Sequence, residues 1–344
     1  MSPVRIAVIG AGLIGAKHVA YISASPLADL AAVADPDPAA RALADANGAA
    51  YWDDVAAMLH AGGIDGAIVA TPTATHEEIG LQCVQAGVPA IIEKPIAHTL
   101  EAAERLNTAA DAAGVTLLTG HHRRYNPVVT QTQAMINRGD LGRLVGVNAM
   151  FAISKPGPYF NMSWRRAPGG GPVLTNLIHD IDLMRAIVGE IAEVSAITSS
   201  AARGFDTEDS ATIALRFLNG ALGSIFLSDT APSPWTWEQG TGENDPYFPE
   251  STESAYRFFG TEASLEFPRL KLWRQEAPDW TKTIASEDLA VEEADAFARQ
   301  IAHFARVIRD EEAPLVSGRE GQRTLAATLA VFQAAETGQT VKLG

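Results

Sequence analysis

Cysteine occurs once in 344 residues, at Cys83. A lone thiol excludes an internal disulfide and a metal cluster built from thiolates. Its scarcity fits a reducing compartment. Positive charge is also in deficit: 26 Lys and Arg against 41 Asp and Glu leave a formal net charge of −15. That balance excludes the electrostatic footprint of a binder of nucleic acid or of an anionic membrane. Long apolar runs are missing. The opening run at residues 4–9 is far shorter than the ~20 residues a membrane span needs, and it leads into glycines rather than a small-residue cleavage site. The expectation is a cytoplasmic protein. Apolar mass itself is ample, with 47% hydrophobic and 19% charged residues. That excludes a disordered chain and suffices for a core. At roughly 100–200 residues per domain, the length suggests two domains or one large one.

The first third alternates strand and helix patterns. Residues 4–9 form a β-branched apolar run suited to a strand buried on both faces. A helical pattern follows to about Ala24. Further strands are expected at 30–34, 67–70, 88–92 and 115–119. Helices are expected from Asp37-Pro38, where Asp caps and Pro takes the first position, from Asp53-Asp54, over 75–86 ending at Gly87, and over 99–113. This rhythm predicts an α/β domain with a doubly wound parallel sheet. After residue 120 the pattern changes. A helix follows Asn126-Pro127 as far as Gly139. Longer strands are expected at 144–153, 193–200, 210–217 and 221–228, with Asn219-Gly220 as a hairpin signal. A second hairpin is expected at 256–259 and 264–267 around Gly260-Thr261. The second half therefore reads as an α+β domain with a large, mostly antiparallel sheet, one helix at 177–188 and helices at 294–309 and 321–337. The stretch 235–253, rich in Pro, Gly, Trp and acid, reads as a loop near a site or an interface. The expected division is 1–122 and 123–344, with the C-terminal helices free to pack back on the first domain.

Gly10, Gly12 and Gly15 stand at a strand-to-helix junction in the spacing of the dinucleotide fingerprint. Gly10 permits the tight turn, Gly12 lets backbone approach a pyrophosphate, and Gly15 lets the helix pack on the strand. Ala11, Leu13 and Ile14 complete the loop, whose N–H groups and helix dipole suit phosphate. Asp35 lies 20 residues after Gly15, at the end of the second strand. Its carboxylate can accept from both ribose hydroxyls and would repel a 2′-phosphate, so NAD is favoured over NADP. Ligands of open α/β sheets sit beyond the carboxyl ends of the strands. Thr71, Pro72 and Thr73 with His76 follow one such end; Glu93 and Lys94 follow another. Charge alone leaves Glu93 and Lys94 open between a solvent-exposed pair and a site. His179, flanked by apolar residues, reads on position alone as a core histidine. His121 and His122 lack the helical metal spacing, and no metal site is expected.

These motifs together resemble the glucose–fructose oxidoreductase / inositol dehydrogenase / MocA family (Gfo/Idh/MocA). The matches run in order along nearly the whole chain: Gly10-Ala-Gly-Leu-Ile-Gly15, Ala70-Thr-Pro-Thr-Ala-Thr-His76, Glu93-Lys-Pro95, Gly120-His-His-Arg-Arg-Tyr-Asn-Pro127, Trp164-Arg165, Gly169-Gly-Gly171, Ile178-His-Asp-Ile-Asp182, Pro314-Leu-Val-Ser-Gly-Arg-Glu-Gly321 and Ala334-Ala-Glu-Thr-Gly338. The resemblance implies a Rossmann domain followed by a domain whose open sheet is commonly an oligomer interface, giving a homodimer or homotetramer. It implies reversible oxidation of a secondary alcohol on a sugar, cyclitol or related polyol. It makes Lys94 a residue that touches both cofactor and substrate. The family's catalytic His lies in the form Asp-x-x-x-His-x-x-Asp. Here His179 and Asp182 fill the last two anchors, but the first is Thr175, with Asn176 beside it.

Hydride leaves an alcohol carbon only as its hydroxyl proton departs, so a base must reach that oxygen. Histidine titrates near neutrality, so His179 can serve; Lys94 can stabilise the developing alkoxide. Thr175 carries no charge, so Asn176 or Asp182 is expected to take part of the polar role, or His179 acts with Lys94 alone. If 175–188 is one helix, Asp182 lies one turn from His179, and Asp180 points elsewhere, solvated or paired with Arg185. The resemblance places Arg123 and Arg165 near the cofactor, and Arg124 and Tyr125 near the substrate; without it, residues 123–125 could be an exposed basic patch. The rival readings are a cofactor-binding regulator or scaffold on the same fold, and an NAD-assisted glycosidase.

Overall fold

The computed structural model describes residues 2–243, 248–277 and 279–344. The chain divides into two compact units. One runs to Asn126 and takes in Ala294–Leu325; the other comprises Pro127–Glu293 and Ala326–Gly344.

The first unit is built on a six-stranded sheet: β1 (Val4–Ile9), β2 (Ala28–Ala34), β3 (Ala50–Trp52), β4 (Gly66–Val69), β5 (Ala90–Ile92) and β6 (Leu117–Thr119). All its pairings are parallel, and the order is β3-β2-β1-β4-β5-β6. This is the doubly wound arrangement, whose order reverses between β1 and β4. The central strands are buried on both faces, as their unbroken apolar runs require. The connecting helices start where short polar side chains can take a free N–H. Asp54 accepts from Ala57, and Thr99 accepts from Ala102. Asp37 accepts from Ala39, but a 3-10 turn over Pro38–Ala40 precedes the helix Arg41–Ala46 expected there. Strand β3 carried no readable signal; it is three residues long and gains its place by pairing with β2.

The second unit is built on a nine-stranded sheet: β7 (Leu144–Ala152), β8 (Ile191–Ser199), β9 (Ser210–Phe217), β10 (Leu222–Ser228), β11 (Tyr256–Gly260), β12 (Ala263–Phe267), β13 (Lys271–Arg274), β14 (Ala285–Asp288) and β15 (Val341–Lys342). The order is β14-β13-β12-β11-β7-β10-β9-β8-β15. Every pairing is antiparallel except β7 with β10. Both expected hairpins form, β9–β10 and β11–β12. The short strands β13, β14 and β15, the last two at the edges of the sheet, were not foreseen. Along β9 and β10 burial alternates residue by residue. The inner face carries Phe151, Phe217, Phe258 and Phe267 into one core with Ile181 and Leu183 of the helix Ile178–Ile187. The outer face leaves Val145, Ile197, Leu222, Phe226 and Phe259 exposed. The stretch 235–253 is not all loop, because Trp237–Thr241 forms a helical turn capped by Thr236 and Trp237 is buried; its residues 244–247 lie outside the described residues.

The helix expected over 177–188 starts earlier and differently. A π-turn at Val173–Leu177 leads into the α-helix Ile178–Ile187. Two side chains account for it. Buried Glu208 takes the Val173 N–H at 2.9 Å, and the Thr175 hydroxyl donates to the Gly171 carbonyl at 2.9 Å, the same oxygen its own amide addresses. Such back-bonding loosens the regular ladder.

Phe151 is fully buried at the centre of the second core. Phe151→Ala is expected to cost about 3–5 kcal/mol, read as an earlier urea transition.

Candidate active site

In the first unit the site begins where β1 ends. Gly10 has φ +94°, and a Cβ there would lie 2.7 Å from the Ala70 carbonyl oxygen. Strand ends β1 and β4 therefore meet with no room for a side chain. A Cβ on Gly15 would lie 1.8 Å from the Gly10 oxygen, so the helix Leu13–Ser23 is seated directly on the turn. Around Gly12 nothing lies within 4 Å. The three glycines thus play the three parts the fingerprint needs: turn, approach and packing. Gly12 caps the helix without a side chain, which leaves the first N–H groups for a ligand.

Asp35 is half-buried at the end of β2. One carboxylate oxygen accepts from Ala11 N at 2.7 Å, the other from Asp37 N at 2.8 Å. A carboxylate has about four acceptor sites, so two remain for a ribose diol. The loop, its open cradle and this carboxylate fit NAD. Arg41 lies over the Tyr51 ring at 4.5 Å rather than facing a 2′-phosphate position.

The loops after β4 and β5 are tied together by His76. Its ring is buried, with Nδ1 2.8 Å from the Pro95 carbonyl and Nε2 2.9 Å from the Thr71 carbonyl. Burial holds this imidazole below its ordinary value, although both carbonyls pull the other way. The histidine spends its ring on backbone and fixes the shape of the Thr71–Thr73 and Glu93–Pro95 turns.

Glu93 is buried and Lys94 half-buried, so the two are not a solvent-exposed pair. The Glu93 carboxylate pairs with His18 Nε2 at 2.8 Å and accepts the Lys94 backbone N–H at 3.1 Å. Burial alone would raise this carboxyl, but the His18 hydrogen bond and the nearby His18, Lys94 and His122 charges hold it down at about 2. His18 was missed in the sequence. Its signal is its place one turn beyond Gly15 on the fingerprint helix, facing the strand ends. His122 stacks on Phe297 at 4.3 Å, and the Lys17 ammonium sits 4.0 Å from the same ring. Arg123, Arg124 and Tyr125 are all buried, so they are no exposed basic patch. Arg124 donates to Glu320 at 3.2 Å, and the Tyr125 ring lies 5.3 Å from that of His303. Cys83 is fully buried, and burial pushes its thiol up to about 12.

In the second unit the π-turn and the helix after it carry Thr175, Asn176, His179 and Asp182. His179 and Asp182 are buried. Asp180 is buried too and receives the Tyr256 hydroxyl, which overturns its expected solvation. Arg185 is held in a two-pronged pair by Glu190, at 2.9 and 2.7 Å. Asn176 Oδ1 accepts from Lys155 Nζ at 2.7 Å, and the Thr175 hydroxyl, whose one proton is shared with the Gly171 carbonyl, lies 3.0 Å away. Lys155, just past the end of β7, was not picked out in the sequence. It is buried, lies 3.5 Å from Asp229 Oδ2, and sits 4.8 Å from the centre of the Tyr159 ring. Burial lowers its ammonium to about 8, against the pull of Asp229. Asp229 is itself held by Arg203 at 2.9 Å. Arg165 donates to the Tyr159 carbonyl at 2.8 Å and stacks on that ring at 3.7 Å. Among the described residues no group of three or more His, Cys, Asp or Glu is placed to hold a metal ion, and no helix is long and apolar enough to cross a membrane.

Known proteins match both units. Residues 4–121 match the model of an oxidoreductase family with an NAD-binding Rossmann fold, and residues 133–343 match that family's C-terminal alpha/beta domain. The rhizopine catabolism protein MocA of Rhizobium meliloti is 30% identical over 70% of this chain and 77% of its own. The 1,5-anhydro-D-fructose reductase of Ensifer adhaerens is 29% identical over 81% of this chain and 80% of its own. A solved myo-inositol dehydrogenase of Corynebacterium glutamicum is 26% identical over 99% of each chain, with a TM-score of 0.75.

Folding lowers the Glu93 carboxyl, so its ionised form stabilises the fold above the ordinary carboxylate range, and that contribution fades as pH falls toward 2. Glu93→Gln should therefore melt below wild type at neutral pH. Thermal melts should show the gap narrowing between about pH 5 and about pH 3.

Proposed function

We infer the function from one premise: the chain belongs to the Gfo/Idh/MocA oxidoreductase family. It is an NAD-dependent dehydrogenase that moves a hydride between nicotinamide and a secondary alcohol of a sugar, cyclitol or related polyol. The observation that carries this reading is the open glycine cradle at Gly12 beside the Asp35 carboxylate, in a chain that matches both domains of the family. The relatives' names, a MocA protein, an anhydrofructose reductase and an inositol dehydrogenase, support an alcohol of a small carbohydrate or cyclitol as substrate.

When bound, NAD supplies the hydride acceptor. Residues 10–15 and Asp35 are assigned to its diphosphate and adenosine ribose. Thr71–Thr73, His76, Glu93, Arg123 and Arg165 are assigned to its remaining length. Lys94 is assigned to both cofactor and substrate, where its cation stabilises the oxygen as the hydroxyl proton leaves. His179 takes that proton. A carboxylate at position 175 would favour the charged imidazole; Thr175 supplies no charge there. Asp182, one turn further along the helix and buried, is the acid assigned to support His179. Asn176, Arg124 and Tyr125 are assigned to substrate hydroxyls. A cytoplasmic location accompanies the reading, and so does a homodimer or homotetramer. The exposed apolar row of β7, β8, β10 and β11 supports the oligomer, since such patches mark interfaces.

Incubation with NAD and a panel of polyols, followed at 340 nm, tests the reading. Absence of both cofactor binding and turnover would sink it. Binding without turnover would favour a regulator on the same fold, and release of a leaving group without net NADH a glycosidase. Lys94→Ala and His179→Ala are each expected to lower kcat by about 10²–10⁴-fold, with NAD affinity near wild type by calorimetry. Asp35→Ala should weaken NAD and narrow its advantage over NADP, read as the ratio of the two dissociation constants.

A further inference from the structure

We propose that Lys155 is a positioning residue that locks the side-chain amide of Asn176 with its oxygen turned inward and its NH2 presented to a substrate oxygen. The proposal deepens the reading of this chain as a polyol dehydrogenase and rests on it. Its ground is the contact at one atom. Asn176 Oδ1 receives Lys155 Nζ at 2.7 Å. The Thr175 hydroxyl lies 3.0 Å from the same oxygen, but its one proton is shared with the Gly171 carbonyl. A hydroxyl can turn and accept, so Thr175 alone would tolerate either amide orientation. An ammonium has three donors and no acceptor, so an NH2 could not face it. Lys155 therefore decides which way the amide points. With Oδ1 turned to the ammonium, Nδ2 has no protein partner among the described residues, and Asn176 is only half-buried. A half-exposed amide donor, held by a buried charge, is built for an acceptor oxygen from outside the chain.

The lysine is itself held in place. Asp229 lies 3.5 Å from Nζ, and Arg203 fixes Asp229 at 2.9 Å. The Tyr159 ring covers the ammonium at 4.8 Å and is clamped by Arg165 from 3.7 Å. Asp229, Arg203, Arg165 and Tyr159 are the titratable or charged groups that face Lys155. Buried, paired ammonium groups of this kind cost desolvation, so a lysine kept here for packing alone is poorly accounted for. Position 175 is where the family places an acid, and a carboxylate there beside Asn176 would compete for the lysine. Thr175 instead leaves the ammonium to Asn176. The departure at 175 and the presence of Lys155 are thus two parts of one arrangement, which presents a neutral donor to the substrate.

Steady-state kinetics with the best polyol found for wild type give the test. Lys155→Met should raise the substrate KM at least about tenfold, the loss of one well-made hydrogen bond, with the dissociation constant for NAD unchanged and Lys155→Arg restoring most of the affinity. Asn176→Asp keeps an acceptor for Lys155 but has no donor, and should be as impaired as Asn176→Ala. In the Asn176→Ala background, Lys155→Met should raise KM no further. Multiplying effects in the double variant, or an unchanged KM in folded Lys155→Met, would overturn the proposal. A second readout does not need turnover. In protein labelled with ¹⁵N-asparagine, the Asn176 NH2 signals should move with pH as Lys155 titrates near 8 and stay still in Lys155→Met. If wild type turns over no polyol yet these signals move, the dehydrogenase reading fails while the lock stands. If they do not move in wild type, the lock fails whatever the activity.

Discussion

The first unit depends on one close approach. A side chain at position 15 would sit 1.8 Å from the Gly10 carbonyl, so the fingerprint helix and the end of β1 can meet only because no side chain is there. That contact does more than shape a phosphate cradle. It sets the height and rotation of the helix, and one turn later the helix carries His18. His18 reaches the Glu93 carboxylate, and Glu93 accepts the backbone N–H of Lys94. A backbone contact at one strand end thus fixes the base of a reactive cation at another. A buried carboxylate is tolerated because its partner is at hydrogen-bond distance and cations surround it. His76 also ties two neighbouring turns together, with one ring nitrogen at hydrogen-bond distance from the carbonyl of each.

The second unit solves a different problem. Its polar residues project from a π-turn and the end of a strand into an otherwise apolar core face. Each buried polar group must then find a partner. Glu208 meets the Val173 amide, Asp229 meets Arg203 and Lys155, and Asn176 meets Lys155 and Thr175. The turn is widened where these bonds compete with the helical ladder. Widened turns of this kind recur at functional sites because they re-aim side chains that a regular helix would stack.

The legible parts of the chain were those encoded by local rules. The parallel sheet was readable because strands buried on both faces have continuous apolar runs, and the glycine motif because two positions with no room for a side chain flank an open one at a fixed spacing. Asp35 was readable because it ends β2 at the right distance. The hairpins announced themselves through Asn219-Gly220 and Gly260-Thr261. The hidden parts depend on partners far along the chain. Strand β3 and the edge strands are too short to carry a period. His18 gains meaning only from Glu93, 75 residues away. Lys155 looks like any surface lysine until Asn176, Asp229 and Tyr159 surround it. Asp180 was expected in water or paired with Arg185, because its neighbours on the helix said nothing of Tyr256, which comes from β11. Local sequence also promised a plain helix over 177–188, whereas the π-turn before it is imposed by Glu208, 35 residues from Val173.

The two units therefore differ in how their chemistry can evolve. Recognition of the cofactor is carried largely by backbone: an open turn, free N–H groups and one acid at a strand end. Such a site tolerates wide sequence change provided the glycines stay, which is why it can be read from a short motif. The proposed recognition of substrate rests on side chains whose orientation depends on one another. A change at one of them, such as Thr175 in place of an acid, is compensated by charge and hydrogen bonds elsewhere in the same cluster rather than at its own position. The cofactor loop is legible in the six contiguous residues 10–15 together with Asp35 at a strand end, whereas the mutual orientation of Lys155, Asn176 and Thr175 depends on residues spread along the chain. The hydroxyl pattern of the substrate must be sought in that network of donors and acceptors.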